Sequence, residues 1–352
     1  MNLSQDPKVQ KELKDKDLCY CSDSNPGYFR QPNGKTFNYY DLNGKRIIDK
    51  KILKRITSLV IPPAWEKVWI CPKETGHLQT TGFDEKGRKQ YIYHPGWIKL
   101  STQNKFSKMV DFGLSLPVIR KKVSHDLQIK KLDKRKILAT CVWLLEHTFI
   151  RVGNEEYSKE NNSYGLTTLR NRHVSVRGTE IVFRFRGKSG IQHKIEVSNP
   201  AVVKNIKRCI ELPGYEIFQF IDDQGARHVV DSSDVNAFLK EVTNDDFSAK
   251  DFRTWGATSI SADSLYETGM PEDEKALKQN ILRTVRKVAG HLNNTVSVCR
   301  NYYIHPTVLQ TYEKNILIPC FDRYKSKTKK QGLSWDEYAL IKLLQKYPYN
   351  ST

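Results

Sequence analysis

Arginine, lysine and tyrosine are the side chains through which this sequence could do chemistry. It has no G-x-x-x-x-G-K-[ST] phosphate loop, no G-x-G-x-x-G, no H-E-x-x-H and no acidic cluster at metal-ligand spacing. A basic chain without those devices can still cut nucleic acid if its cations do the electrostatic work. Breaking a phosphodiester without a metal needs a nucleophile and donors that neutralise charge growing on the non-bridging oxygens. It also needs an acid to protonate the departing sugar oxygen, and a scaffold that holds these parts in line. Arginine suits the second task because its planar fork bonds two phosphate oxygens at once.

Four segments hold candidates for these parts. Thr148 to Tyr157 reads TFIRVGNEEY and is followed by YGLTTL from Tyr164 to Leu169. Phe185 to Gly190 reads FRGKSG, Lys250 to Ala257 reads KDFRTWGA, and Asn294 to Pro306 reads NTVSVCRNYYIHP. A fifth segment, GRKQYIYH from Gly87 to His94, precedes them. In this order and with these internal spacings they resemble the motifs of the type IB DNA topoisomerases of the poxvirus-like and bacterial kind. The resemblance extends from about Gly76 to Pro306.

The resemblance implies a role for each matched position. Arg151 and Arg253 would clamp the scissile phosphate, and Lys188 would be the general acid that protonates the leaving 5′ oxygen. Tyr303 would be the nucleophile, nine residues after Asn294. Many relatives carry His where this chain has Asn294. An amide donates a hydrogen bond but transfers no proton near neutral pH, so Asn294 is expected to stabilise the oxyanion. Tyr302 is a neighbouring competitor for the nucleophile, set aside on spacing. The chemistry is consistent with this division of labour. A phenol, with a pKa of about 10, needs little help from a base, whereas the expelled alkoxide needs a proton, which an ammonium can give. Gln90, Tyr91 and Tyr93 match residues that read bases or pack on the backbone, and glutamine can pair with adenine in the major groove. Tyr157 and Lys250 would touch DNA near the scissile site. The implied reaction is reversible transesterification through a 3′-phosphotyrosyl link, with no ATP, metal or other cofactor.

The bulk properties leave room for this reading. Over 352 residues, 58 Lys and Arg against 39 Asp and Glu give a formal charge of +19, which favours a polyanionic partner, nucleic acid or an anionic membrane surface. At 38% hydrophobic and 28% charged the chain is too apolar for a disordered one. No run of about 18 apolar residues could span a membrane, and the N-terminus lacks the apolar core of a secretory signal. The seven cysteines are odd in number and scattered; Cys19 and Cys21 alone are weak grounds for zinc, and reduced cytosolic thiols are expected.

The elements that must position these residues can be read from patterning. Strand signals gather in the first part: Val68–Cys71, and a hairpin of His77–Thr81 with Gln90–Tyr93 across Asp84–Gly87. His94-Pro95-Gly96 breaks the pattern, and the domain boundary is placed there. Helical spacing follows at Ile137, Leu138, Cys141, Val142, Leu145 and Phe149. Three short strands come next, His173–Arg177, Thr179–Phe185 and Ile191–Val197, with Lys188 between the last two. Ser233, Ser248 and Ser334 are candidate N-caps, and Leu277, Ile281, Val285, Val288 and Leu292 outline a further helix. The basic run 325–330 reads as a linker. The expected fold is α+β. A small β-rich DNA-binding domain, residues 1–97, precedes a larger, mostly α-helical catalytic domain, residues 98–352, with a three-stranded β element, the two forming a clamp around duplex DNA. The enzyme is expected to be a monomer, either cytoplasmic on the bacterial nucleoid or, if viral, in the virion.

Two other readings share part of this ground. A tyrosine recombinase uses the same chemistry, but usually has His three residues before its second arginine, where Lys250 stands, and a helical N-terminal domain. A non-catalytic DNA-binding protein would explain the charge and leave the ordered constellation to chance.

Overall fold

The strands do gather early and the helices late. A computed structural model describes residues 7–325 and 332–349. They form two compact units of an α+β chain, one ending at Lys105 and the other comprising Phe106–Tyr349.

The first unit contains α1 (Pro7–Lys14), β1 (Tyr28–Asn33), β2 (Thr36–Tyr40), α2 (Lys50–Ser58), β3 (Glu66–Ile70), β4 (Leu78–Phe83) and β5 (Lys89–Tyr93). The strands pair antiparallel in the order β2-β1-β3-β4-β5, which leaves β5 at an edge. Asp49 starts α2 by accepting from the N–H groups of Lys51 and Ile52 at 2.7 and 3.1 Å. The helix presents Ile52, Leu53 and Ile56 to a small core built on Ile47, Val68 and Ile70. Full burial, as of Ile56, contributes about 1.5–3 kcal/mol, and the half-buried Ile52 and Leu53 contribute less. The β4–β5 turn is held by Asp84, whose Oδ1 accepts from the N–H groups of Lys86 and Arg88, both at 3.0 Å.

The strand pattern ends with β5 at Tyr93, and Pro95 opens α3 (Pro95–Ser107). The second unit continues with α4 (Met109–Asp126), α5 (Lys134–Thr148), α6 (Glu155–Asn161), β6 (Val174–Arg177), β7 (Glu180–Arg186), β8 (Gln192–Val197) and α7 (Pro200–Ile210). A short hairpin, β9 (Gln219–Ile221) and β10 (Arg227–Val229), leads to α8 (Ser232–Thr243) and α9 (Ala249–Thr268). Then come α10 (Glu274–Leu292), α11 (Val296–Tyr302), α12 (Pro306–Glu313), α13 (Leu317–Lys325) and α14 (Trp335–Lys346).

The core of this unit surrounds α5, which packs against α4, α7, α8 and α9. Burial of Ile137, Leu138, Ala139, Cys141, Val142, Leu144 and Leu145 makes it an interior helix, broader in its apolar surface than a single stripe. The strands β6-β7-β8 form the expected three-stranded element, with Phe185 opposite His193 in the β7–β8 register.

The caps follow the sequence in two cases out of three. At α14, Ser334 and Glu337 form the reciprocal box, and at α9 the N–H and hydroxyl of Ser248 both donate to Asp251. Ser233 does not cap α8. Asp231 Oδ1 accepts from the N–H groups of Ser233 and Asp234 at 2.7 and 2.9 Å, and the Ser233 hydroxyl donates to the same oxygen. A carboxylate competes better than a hydroxyl for the exposed N–H groups of a first turn.

The seven cysteines are free thiols. Among the described residues no helix is long and apolar enough to cross a membrane, and no group of three or more His, Cys, Asp or Glu could hold a metal ion. Beyond Lys325, the basic run 325–330 lies outside the described residues.

Candidate active site

Arg253 occupies the second turn of α9 and is 4% exposed. An uncompensated guanidinium would not remain there. Its compensation comes from two helix ends. One nitrogen donates to the Phe149 carbonyl at the end of α5, and Nη2 donates to the Leu292 carbonyl at the end of α10 at 2.9 Å. The last carbonyls of a helix lack partners within it and carry its partial negative charge, so both ends suit a cation. Phe149 and Asn293 end their helices in the left-handed region, at φ 51° and 47°. The Phe149 ring lies so close to Gly256 of α9 that no side chain could replace that hydrogen.

Arg151 stands in the loop between α5 and α6. Leu166 N–H donates to its carbonyl at 2.8 Å, and Thr167 donates through both N–H and hydroxyl to the Val152 carbonyl at 2.7 and 2.9 Å. The two strips of chain meet at Gly153, with φ 102°, and Gly165, where a Cβ would come within 2.6 Å of Gly153 Cα.

Tyr303 terminates α11, at φ −120° and ψ −40°. Pro306, at the start of α12, disfavours helical backbone at His305, which is extended (ψ 124°), so the chain breaks just after the tyrosine. Thr258 of α9 secures this break. Its hydroxyl accepts from His305 N–H at 3.0 Å and lies 3.3 Å from the Tyr303 carbonyl. The Arg253 guanidinium carbon is 5.2 Å from the centre of the Tyr303 ring, and the two side chains are hydrogen-bonded. Burial, then the charge of Arg151, lowers the pKa of Arg253, while Tyr303 opposes the shift. Both arginines retain a buried nitrogen, Nη1 of Arg151 and Nε of Arg253, with no hydrogen-bond partner among the described residues.

A search of family models places residues 94–331 in the catalytic core described as that of eukaryotic DNA topoisomerase I. The chain is also 32% identical, over 296 residues, to DNA topoisomerase 1B of Acanthamoeba polyphaga mimivirus, covering 82% of this chain and 88% of the relative. The chain belongs to the type IB DNA topoisomerases. Residues 36–84 match the N-terminal domain of bacterial DNA topoisomerase IB. DNA topoisomerase 1B of Vaccinia virus (strain Copenhagen) is 27% identical over 278 residues, covering 76% of this chain and 81% of the relative. DNA topoisomerase 1 of Schizosaccharomyces pombe is 30% identical over 215 residues, covering 59% of this chain and 24% of the relative.

Within this topoisomerase, Arg253 and Tyr303 meet from segments 50 residues apart, and the charge of Arg151 acts on Arg253. Asn294 follows the end of α10, where its Oδ1 accepts from Thr295 N–H at 3.0 Å. Lys188 is exposed at the β7–β8 tip and makes no ion pair among the described residues; Ser189 and Gly190 beside it have φ 64° and 79°. Tyr157 is half-buried on α6, and Lys250 is exposed in the first turn of α9. In the other unit Tyr91 and Tyr93 stack at 6.1 Å on one face of β5, near the Lys89 ammonium. Gln90 faces the opposite way, as strand alternation requires, and its Nε2 donates to Asp84 at 3.0 Å.

Sequence reading did not find Thr258, which looks like one more polar residue in a helix. Nor did it find His193, whose burial was legible because it alternates in phase with Ile195 and Val197 on β8.

Proposed function

We propose that this enzyme relaxes supercoiled duplex DNA by transient cleavage of one strand. Tyr303 Oη attacks the scissile phosphorus and forms a 3′-phosphotyrosyl ester, and the bond to the 5′ oxygen breaks. Lys188 supplies the proton that the departing oxygen takes up, and the phenolic proton passes to water. Arg151 and Arg253 hold the non-bridging oxygens, and the Asn294 amide donates to one of them. Religation is the reverse attack by the 5′-hydroxyl. The cut strand rotates about its partner before religation; one phosphoester replaces another, so no ATP is needed, and the cations supply the stabilisation that a metal could otherwise give.

The observation that carries this reading is the Arg253 guanidinium beside Tyr303 within reach of the Arg151 charge, each arginine with a buried nitrogen unpaired among the described residues. Leaving a buried charged donor unsatisfied costs more than about 1–3 kcal/mol, and an incoming phosphate would offset that cost twice. Tyr157 and Lys250 are assigned to DNA near the cleavage point. In a division at about residue 97, Tyr91 and Tyr93 are assigned to the duplex on the N-terminal side, with Gln90 available once it leaves Asp84.

The test is relaxation of negatively supercoiled plasmid in excess EDTA without ATP. A ladder of stepwise relaxed topoisomers is expected. Binding without strand breakage, recombination only between two defined sites, or a strict need for Mg²⁺ in cleavage would each overturn the proposal.

A further inference from the structure

His193 lies five residues beyond Lys188, on β8, and is 7% exposed. Three contacts fix its ring. It stacks on Phe185 across the hairpin, at 4.8 Å and 3°. Its Nε2 edge lies over Gly187, the residue before Lys188, where a Cβ would come within 2.5 Å of Nε2. Its Nδ1 is 3.2 Å from Nδ2 of Asn293, the left-handed residue that ends α10 and immediately precedes Asn294. An amide nitrogen only donates, so Nδ1 accepts and the ring proton sits on Nε2. A second proton would set donor against donor. Burial, followed by the charges of Arg151 and Arg253, keeps the ring neutral, with its pKa pushed down to about 4.

We infer that His193 is a positioning residue of the cleavage reaction, which locks the root of the Lys188 hairpin to the Asn293–Asn294 turn and thereby aims the lysine. The inference rests on the assignment of Lys188 as general acid. The physical need is plain. Lys188 is a long side chain on an exposed turn with two consecutive left-handed residues, and a proton donor must be held to within a fraction of an ångström. Phe185 and Gly187 fix the ring to the hairpin. The hydrogen bond to Asn293 then ties that hairpin to a residue 100 positions further along the chain. The α10 end is anchored separately by Arg253, which donates to the Leu292 carbonyl at 2.9 Å, so the Asn293–Asn294 turn is the fixed support and the hairpin is what the bond orients.

Two single-cleavage substrates separate this role from simple packing: one with the ordinary scissile 5′ oxygen, the other with sulfur in its place. A thiolate leaves without a proton, so only defects in proton delivery vanish on the sulfur substrate. His193→Phe keeps an aromatic ring for the stack and removes the acceptor, while Asn293→Ala removes the partner and leaves the hairpin untouched. Each is expected to slow cleavage of the oxygen substrate by about 10–100-fold, to cleave the sulfur substrate near the wild-type rate, and to bind duplex normally. Combining either with Lys188→Ala should add no further loss on the oxygen substrate. Equal loss on both substrates, or no loss on oxygen, overturns the inference. Lys188→Ala alone serves as the control. If sulfur rescues it but not His193→Phe or Asn293→Ala, the positioning role falls and the acid assignment stands. If sulfur does not rescue it, the acid assignment falls and the positioning role with it.

Discussion

At the scale of single residues the two clamping arginines differ in kind. Each keeps one buried nitrogen without a partner among the described residues, but Arg253 also satisfies two helix-end carbonyls and faces Tyr303, whereas Arg151 adds a repulsive charge that acts on Arg253. Both alanine variants are expected to lose about 10²–10³ in cleavage rate, as for loss of one oxyanion donor. Only Arg253→Ala should also lose stability, by about 1–3 kcal/mol for the stranded carbonyls. Arg151→Ala should melt within a degree or two of wild type. Denaturant melts run beside single-turnover cleavage decide the matter, and equal melting of the two variants would contradict the support assigned to Arg253. The neighbouring tyrosines give a second contrast. Tyr303 meets Arg253, while Tyr302 is 49% exposed at the end of α11. Tyr303→Phe removes only the attacking oxygen, so it should bind DNA and form no covalent adduct, and Tyr302→Phe should retain most activity. Mass spectrometry of a digested adduct that located phosphate on Tyr302 would reverse the assignment.

At the scale of elements, the site depends on where helices stop. α5 ends at Thr148, three residues before Arg151, α10 ends two residues before Asn294, and α11 ends at the residue before Tyr303. The loop bearing Arg151 owes its path to the close meeting of Gly153 and Gly165. In Gly165→Ala the new methyl would lie 2.7 Å from the Arg151 carbonyl and 2.6 Å from Gly153 Cα, so backbone must move. Overpacking of this sort costs about 1–3 kcal/mol, and a shift of about 1 Å at the phosphate can cost about 10²-fold in rate. We expect a modest fall in melting temperature with a fall of at least tenfold in cleavage; a variant that cleaves at the wild-type rate would show that this contact does not set the arginine. Much of this layer was legible beforehand, because helix periodicity, the β7–β8 turn and the caps at Ser248 and Ser334 are local patterns. The cap at Asp231 was misread because Asp231, Ser232 and Ser233 stand in a row and sequence alone does not rank them. The hairpin β9–β10 was missed because three-residue strands carry too little alternation to detect. Thr258 and His193 escaped for a different reason: their partners lie 45 to 100 residues away in sequence, and no local pattern encodes such pairings.

At the scale of the whole molecule, buried titratable groups pull stability in opposite directions with pH. Asp263 on α9 is pushed up to about 8, first by burial and then by the carboxylates of Asp336, Glu267 and Glu337. Its ordinary value is 3.8, so between about 4 and 8 the folded chain holds a proton that the unfolded chain has released, and stability falls as pH rises. His173, His193 and His305 behave in reverse. Burial leads in each, and all three lie near 4 against an ordinary 6.5. Between about 4 and 6.5 the unfolded chain binds the extra protons, so acid weakens the fold. These three histidines, joined by His77, whose pKa burial also lowers, oppose one aspartate below about 6.5, and the aspartate's effect prevails above it. Melting temperature should therefore peak near pH 6.5, fall steeply towards pH 4 and fall more gently towards pH 8. Asp263→Asn keeps the shape of the side chain without its titration, so it should abolish the alkaline decline and leave the acid limb in place. Scanning calorimetry of both proteins from pH 4 to 8.5 tests this directly. An alkaline decline that survives in Asp263→Asn would mean that another group drives it.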